Sequence, residues 1–193
     1  MSFIKRFLGK PSDQITADDI VSFISQSIEE NLNLDYKSIP QKIDFDELAK
    51  DVSAFANSEG GLLILGISEK TETDQKTKKT FRIYPERITW GKPSLTKEMI
   101  EQHLVGKIHH PIEHLRIVPI RKSEQEPEVI FLIDVPHSNN SPHMVTPYYR
   151  YYKRLNFENL PMGHYEVHNL FRINWIMREK LVEKRTESLI ERI

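Results

Sequence analysis

The sequence contains no cysteine, which excludes disulfide bonds, thiolate zinc sites and a cysteine nucleophile. It has no apolar run near the roughly 20 residues that a membrane-spanning helix needs. Its first residues, MSFIKRFL, lack the extended apolar core and the cleavage site of a signal peptide. The sequence therefore predicts no membrane-spanning segment. The lack of cysteine is consistent with the reducing cytoplasm, which is the predicted location.

A strong charge of either sign is also missing, because the net charge is -1 at pH 7 over 193 residues. The chain is therefore not a generally basic nucleic-acid binder, and any such binding needs a local patch. No glycine pattern of a dinucleotide- or phosphate-binding loop occurs, so no nucleotide cofactor is predicted. With 38% hydrophobic residues, the chain can bury a substantial core, and its length indicates one domain.

The segment Asp44–Glu69 organises the sequence. Its first part has apolar residues at helical spacing and predicts a helix over Asp44–Asn57. Gly60 and Gly61 follow that helix, since glycine accepts the left-handed backbone at a helix end. Leu62–Ile67 is then an unbroken apolar run of strand length. The segment predicts a helix that reverses sharply into a buried strand.

The rest of the chain alternates helical and strand patterns, and it predicts an α/β fold with a mixed central sheet of about five to six strands flanked by helices. Residues 71–80 lack apolar periodicity and are predicted to be an exposed loop, and residues 81–83 are interpreted as a short strand. The predicted domain limits are an N-terminal tip over 1–14, the domain over 15–170 and a helical extension over 171–193. The further predicted elements are helices near 16–28 and 94–107, a half-buried strand over 32–38, strands over 115–120, 129–135 and 148–153, and a long helix from 165.

Three acidic residues lie at predicted element ends. Glu30 closes a helix, Asp35 shares the polar face of a strand with Lys37, and Glu69 follows the buried strand. If the two strands pair, the carboxylates converge beside Lys37 and could hold Mg²⁺ or Mn²⁺, which prefer oxygen ligands. Such an ion lowers the pKa of bound water and clamps a phosphodiester. The same spacing also suits ordinary surface acids, and Asp74 is an alternative third acid.

Two segments combine cations and aromatic residues. Lys70–Lys92 has seven Lys/Arg against three Asp/Glu, and Tyr148–Arg154 has four tyrosines, three cations and no acid. Cations beside aromatic side chains suit phosphates and unstacked bases, although a solvated charge run and a sheet edge have the same composition. The predicted nucleic-acid contacts are Lys76, Lys78, Lys79, Arg82, Arg150, Tyr152, Lys153 and Arg154.

The segment AFANSEGGLLILGI over 54–67 resembles the signature of the Schlafen AlbA-like domain family. Asp35-Tyr36-Lys37 resembles the acid-aromatic-lysine triplet of that family, and the pieces Pro142-His143 and Tyr151–Arg154 follow in its order. The resemblance covers roughly 28–170. It implies an AlbA-like α/β fold and a DNA-binding or RNA-binding function.

Some members of this family are metal-dependent RNA endonucleases. By resemblance, the catalytic residues are Glu30, Asp35, Lys37 and Glu69, and Mg²⁺ or Mn²⁺ is held by Glu30, Asp35 and Glu69. Asp35 stands in place of a usual Glu and Glu69 near a usual Asp, and each difference moves the carboxylate oxygens by about 1.5 Å.

The leading hypothesis is a nucleic-acid-binding protein that contacts the phosphate backbone through its basic and aromatic surface. One alternative is a metal-dependent endoribonuclease acting on structured RNA such as tRNA, and another is a protein-interaction module that uses the long C-terminal helix. Schlafen cores place two related lobes side by side. A chain with one lobe is therefore predicted to form a homodimer, using the helix over Phe171–Leu181.

Overall fold

The computed structural model describes residues 2–40 and 43–190. The helices of these residues are α1 (Phe3–Leu8), α2 (Ala17–Ser25), α3 (Phe45–Ala56), α4 (Lys97–Lys107) and α5 (His164–Ile190). The strands are β1 (Leu34–Lys37), β2 (Gly61–Leu65), β3 (Ile67–Thr73), β4 (Thr80–Ile88), β5 (Ile108–His109), β6 (Arg116–Arg121), β7 (Val129–Val135), β8 (Met144–Val145), β9 (Arg150–Leu155) and β10 (Glu158–Pro161).

A mixed sheet with the order β1-β2-β7-β6 forms the centre of the fold. Strand β1 runs parallel to β2, whereas β7 is antiparallel to both of its neighbours. Strands β2 and β7 are buried along their whole length, which explains their continuous apolar sequences. The predicted α/β class and the mixed central sheet are confirmed, but this sheet has four strands in place of the predicted five to six.

The core lies on both faces of this sheet, because successive side chains of a strand point to opposite faces. On one face, Leu63 and Ile133 pack with α3, α4 and part of the second sheet. On the other face, Leu62 and Leu132 pack with α1 and α2. The first face carries α3 and the strand β9, and it is the face that assembles the candidate site.

The remaining strands form a second sheet, with the order β10-β9-β8-β5, and the separate hairpin β3-β4. Gly66 ends β2 with a φ of 127°, and a Cβ there would lie 2.3 Å from Cγ2 of Ile130. This corner separates the hairpin from the central sheet. The predicted exposed loop over 71–80 is wrong for its first part, since β3 continues to Thr73. Backbone hydrogen bonds hold the hairpin whatever the polarity of its side chains.

Several predicted boundaries hold, and others shift. Asp44 caps α3 by accepting hydrogen bonds from the N–H groups of Asp46 and Glu47. The predicted strand over 148–153 begins at Arg150, because the preceding Tyr149 has a φ of 50° in a turn.

The two ends of the described chain pack differently. In α1, Ile4 is fully buried, and Asp134 accepts a hydrogen bond from the N–H of Phe3. In α5, the Phe171 ring meets the edge of Tyr151, whereas Trp175 is 66% exposed. None of the helices in the described residues has the length and apolar character to cross a membrane.

Candidate functional site

Asp35 lies at the centre of a cluster of acids and cations, and it is only 1% exposed. The prediction of a solvent-facing polar side for β1 is therefore wrong at this residue. Strand β1 is covered on that face by β9 and α3, whose side chains reach Asp35. Buried charges of this kind need partners of opposite charge.

Two cations neutralise Asp35. Its Oδ2 lies 2.8 Å from Lys37 Nζ, and its Oδ1 lies 2.8 Å from Arg154 Nη2. Neither Asp35 oxygen accepts a well-aligned hydrogen bond among the described residues, so electrostatic attraction holds these contacts. Lys37 also lies 3.2 Å from Glu69 Oε1 and thus bridges two of the predicted acids.

Arg154 ties β9 to β1 from inside the protein. Its Nη2 donates a hydrogen bond to the carbonyl of Leu34 at 3.1 Å, and its guanidinium lies 4.7 Å from the centre of the Phe55 ring. The Arg154 side chain is 0% exposed, and Tyr152 is 8% exposed. Both were predicted as nucleic-acid contacts, but in this arrangement they face the interior.

Glu30 and Glu69 complete the predicted set. Glu30 is buried and accepts a hydrogen bond from the N–H of Tyr36 at 2.8 Å. Burial, together with the nearby Asp35 carboxylate, raises the pKa of Glu30 to about 9. Burial also raises the pKa of Glu69. Burial alone would lower the pKa of Lys37, because it disfavours the charged form. The surrounding carboxylates, of which Asp35 has the largest effect, outweigh burial and raise the pKa of Lys37.

Asp51 is a fourth acid of the cluster, and the sequence reasoning missed it. Its Oδ1 accepts a hydrogen bond from Asn159 Nδ2 at 2.5 Å. Burial and the Asp35 carboxylate raise the pKa of Asp51 to about 7. The sequence did contain a sign of this role. Asp51 lies three residues after Leu48 and four before Phe55, and this spacing places an acid on the apolar face of α3.

A groove of about 550 Å³ opens beside the cluster. Lys37 lies in its wall, and the acids of its wall are Asp44, Glu47, Asp51 and Glu69. A cleft lined mainly by one sign of charge concentrates ions of the opposite sign. This acidic groove therefore disfavours phosphate groups.

The fit of a divalent metal ion can be judged from these contacts. Among the described residues, no group of three or more acidic or histidine side chains has an arrangement that could hold a metal ion. Lys37 and Arg154 each take one oxygen of Asp35, and the raised pKa of Glu30 favours its neutral form at pH 7. The acids in this arrangement do not fit Mg²⁺ or Mn²⁺, and the metal site stays a prediction.

The turn between β3 and β4 carries Lys76, Lys78 and Lys79, all exposed. Asp74 organises this turn, because its Oδ1 accepts hydrogen bonds from the N–H groups of Lys76 and Thr77 at 2.9 and 2.6 Å. No acid forms an ion pair with the three lysines in the part of the chain that the structure describes. Asp74, the alternative third acid, lies in the turn and is not among the groups that act on Lys37.

The other predicted cations differ in their availability. Arg82 is half exposed and lies 3.7 Å from Glu29 Oε2. Arg150 is exposed at the start of β9. Lys153 forms an ion pair with Glu166.

Asn57 explains the AFAN part of the sequence motif. Its Nδ2 donates hydrogen bonds to the carbonyls of His143 and Tyr152 at 3.0 and 2.9 Å, and its Oδ1 accepts from the N–H of His143. Asn57 thus joins the end of α3 to β9 and to the Pro-His step. His143 is fully buried, and burial lowers its pKa.

A comparison with known protein families agrees with this fold. The family model described as Schlafen, AlbA_2 matches residues 30–163, which is more than half of the chain. Among solved structures, the chain is similar to the N-terminal domain of an ATP-dependent DNA helicase RecG-related protein from Nitrosomonas europaea. That likeness has 17% identity and a TM-score of 0.42, and it covers 78% of this chain and 86% of the other. No curated protein matches the sequence.

Proposed function

The chain belongs to the Schlafen AlbA_2 family, and we propose that it binds the phosphate backbone of nucleic acid through the β3-β4 hairpin and Arg150. The observation that carries this proposal is the group of exposed lysines at the hairpin turn, Lys76, Lys78 and Lys79. They have no acidic partner among the described residues, so their charges are available to phosphates.

The charge distribution favours the hairpin, and not the acidic groove, as the surface that binds nucleic acid. Asp74 reduces the charge of the turn, but its oxygen is engaged by backbone N–H groups. Arg82 adds a cation on β4, weakly paired at 3.7 Å. Four of the acids that offset the positive charge of the chain line the groove beside Lys37 and not the hairpin turn. A locally basic hairpin therefore fits a protein whose overall charge is close to zero.

RNA cleavage is the second candidate function, favoured by one observation. Carboxylates from separate elements, Asp35 and Glu69, contact the same lysine, Lys37. The acids do not fit a metal ion in their paired arrangement, so this arrangement supports no metal-dependent catalytic step. RNA binding as distinct from DNA binding, the homodimer and the cytoplasmic location stay predictions.

A direct binding measurement tests the main proposal. Fluorescently labelled single-stranded DNA, duplex DNA and tRNA are titrated with the protein at 50 and 200 mM salt while polarisation is followed. We expect binding at low salt that weakens by at least about tenfold at higher salt, since each phosphate contact releases counterions. Absence of binding to all three nucleic acids at 50 mM salt would contradict the proposal.

A further inference from the structure

We propose that the cavity beside Trp90 is a nucleobase pocket, which receives one unstacked base of a single-stranded nucleic acid. This inference rests on the nucleic-acid binding proposed above. The cavity has a volume of about 350 Å³, close to the lower end of the range of about 300–1,000 Å³ for ligand pockets. A planar base suits a cavity of this size.

The pocket forms where three parts of the fold meet. Trp90 lies two residues after the end of β4, Ile39 lies two residues after β1, and Phe45 begins α3. Leu95, just before α4, also lines the cavity. A Cβ on Gly91 would lie 2.9 Å from Cδ1 of Ile39, so these two residues approach each other closely at the cavity.

The walls have the chemistry that a base needs. Trp90 and Phe45 provide aromatic surfaces, and bases of every kind stack on such surfaces. Phe45 is held in place by the His103 ring, which stacks on it with the ring centres 3.7 Å apart. The Trp90 indole N–H has no hydrogen-bond partner among the described residues, and the Ser94 hydroxyl lies on the same cavity. The Ser94 hydroxyl can form a hydrogen bond with the edge of a base.

Charge distinguishes this pocket from its neighbour. Lys92 is the charged side chain of the described cavity wall, and no acid lies in it. The adjoining acidic groove, which shares Pro40 and Ile43, has four acids in its wall. A polyanion is therefore attracted to the Trp90 side and repelled from the other, which favours nucleic acid over a basic peptide.

Strand β4 connects the pocket with the lysine-bearing turn. Its 9 residues span about 30 Å at about 3.3 Å per residue, and they carry Arg82 and Arg87, both exposed. A single strand lying along β4 can therefore place phosphates on the turn and a base beside Trp90.

Tryptophan fluorescence provides the test. The protein has two tryptophans, so Trp175→Phe leaves Trp90 as the only emitter. This variant is titrated with a labelled oligothymidylate and with an abasic oligomer of equal length, while label polarisation and Trp90 emission are recorded together. We expect the thymidylate to quench the Trp90 emission. The abasic oligomer should leave the emission unquenched and bind about 5- to 150-fold more weakly.

Substitutions at two residues distinguish the loss of base binding in the pocket from the loss of the folded structure. Trp90→Phe keeps an aromatic wall and should retain most of the affinity, whereas Trp90→Ala should reduce it to the abasic level. Because Trp90 also packs against core residues, Ser94→Leu, which adds bulk without an aromatic ring, serves as a second variant. Ser94 is exposed at the cavity, so the larger side chain should fill the pocket, weaken thymidylate binding and leave the thermal midpoint unchanged.

Three results would overturn the inference. If both oligomers bind equally well without quenching, the pocket is not used, and nucleic-acid binding itself still stands. If Ser94→Leu is folded and binds thymidylate like the unchanged protein, the base lies elsewhere. If neither oligomer binds, nucleic-acid binding fails together with the pocket.

Discussion

The carboxylate of Asp35 lies 2.8 Å from the guanidinium of Arg154, and both side chains are almost completely buried. This pair joins β1 of the central sheet to β9 of the second sheet. Removing one partner of a buried pair leaves an uncompensated charge, which costs far more than an exposed ion pair contributes. The pair therefore explains how the two sheets are held in register near the acids.

Asp35→Asn should lower the free energy of unfolding by about 3–5 kcal/mol, because it leaves Arg154 buried without its counter-charge. Urea unfolding measures this change. The matched control is Glu101→Gln, which removes an exposed ion pair with Lys97 and should have no measurable effect. Equal stability of Asp35→Asn and the unchanged protein would mean that the pair is not formed.

The stability of the protein should fall as the pH rises from about 4 to about 7. Burial and the Asp35 carboxylate raise the pKa of Asp51 from 3.8 to about 7, so the folded state binds this proton more tightly than the unfolded state. The corresponding stability is complete below the unfolded pKa and is lost as the pH passes through the folded pKa. Glu30, with a pKa raised from 4.5 to about 9, extends the loss to higher pH.

Asp51→Asn tests this pH dependence. The side-chain oxygen of the introduced asparagine can still accept the hydrogen bond from Asn159, but the asparagine side chain does not titrate. Unfolding measured from pH 5 to pH 9 should give a flatter profile for this variant, with the difference arising mainly between pH 5 and pH 7. An identical slope in both proteins would contradict the raised pKa of Asp51.

The sequence predicted the elements whose patterns are local. Helix α3 and strands β2 and β7 have continuous helical or apolar patterns, so their existence follows from periodicity. The pairing of Asp35 with Arg154 could not be predicted, because it depends on how two distant strands meet.

The first strand of the hairpin was missed for a different reason. Strand β3 is mostly exposed and polar, and its register shifts at two places, so it has no clean alternation. The position of Glu69 beside Lys37 was nevertheless predicted correctly, because β1 pairs with β2 as the prediction assumed. Lys37 Nζ lies 3.2 Å from Glu69 Oε1.

Metal addition distinguishes the ion-pair arrangement from the metal site that the family resemblance implies. We expect 1 mM Mn²⁺ to leave the thermal midpoint unchanged and to produce no tRNA fragments, since Lys37 and Arg154 already neutralise Asp35. A rise in the midpoint that is abolished by Glu69→Gln, at an acid that is 29% exposed and not part of the buried Asp35–Arg154 pair, would show that the acids bind the ion. Cleavage lost in the same variant would establish the nuclease.

The predicted homodimer uses the exposed apolar side of α5. Phe171 and Trp175 are 48% and 66% exposed and lie one turn apart. Sedimentation at micromolar concentration should show a species of twice the 22.7 kDa chain mass, and Trp175→Glu should shift it to the monomer. Val105→Glu on α4, at a residue that is 67% exposed, is the control and should leave the dimer intact. A single 22.7 kDa species of the unchanged protein would rule out the dimer.

The salt dependence of nucleic-acid binding tests the central claim most directly. The triple variant Lys76→Gln, Lys78→Gln and Lys79→Gln is compared with a control that changes three other exposed lysines to Gln, namely Lys5, Lys10 and Lys180. For duplex DNA, the slope of log K against log salt changes by about 0.9 for each phosphate contact. The hairpin variant should therefore bind more weakly at low salt with a slope smaller by about 2 to 3, and the control should match the unchanged protein. A hairpin variant with the unchanged slope and affinity would contradict the account.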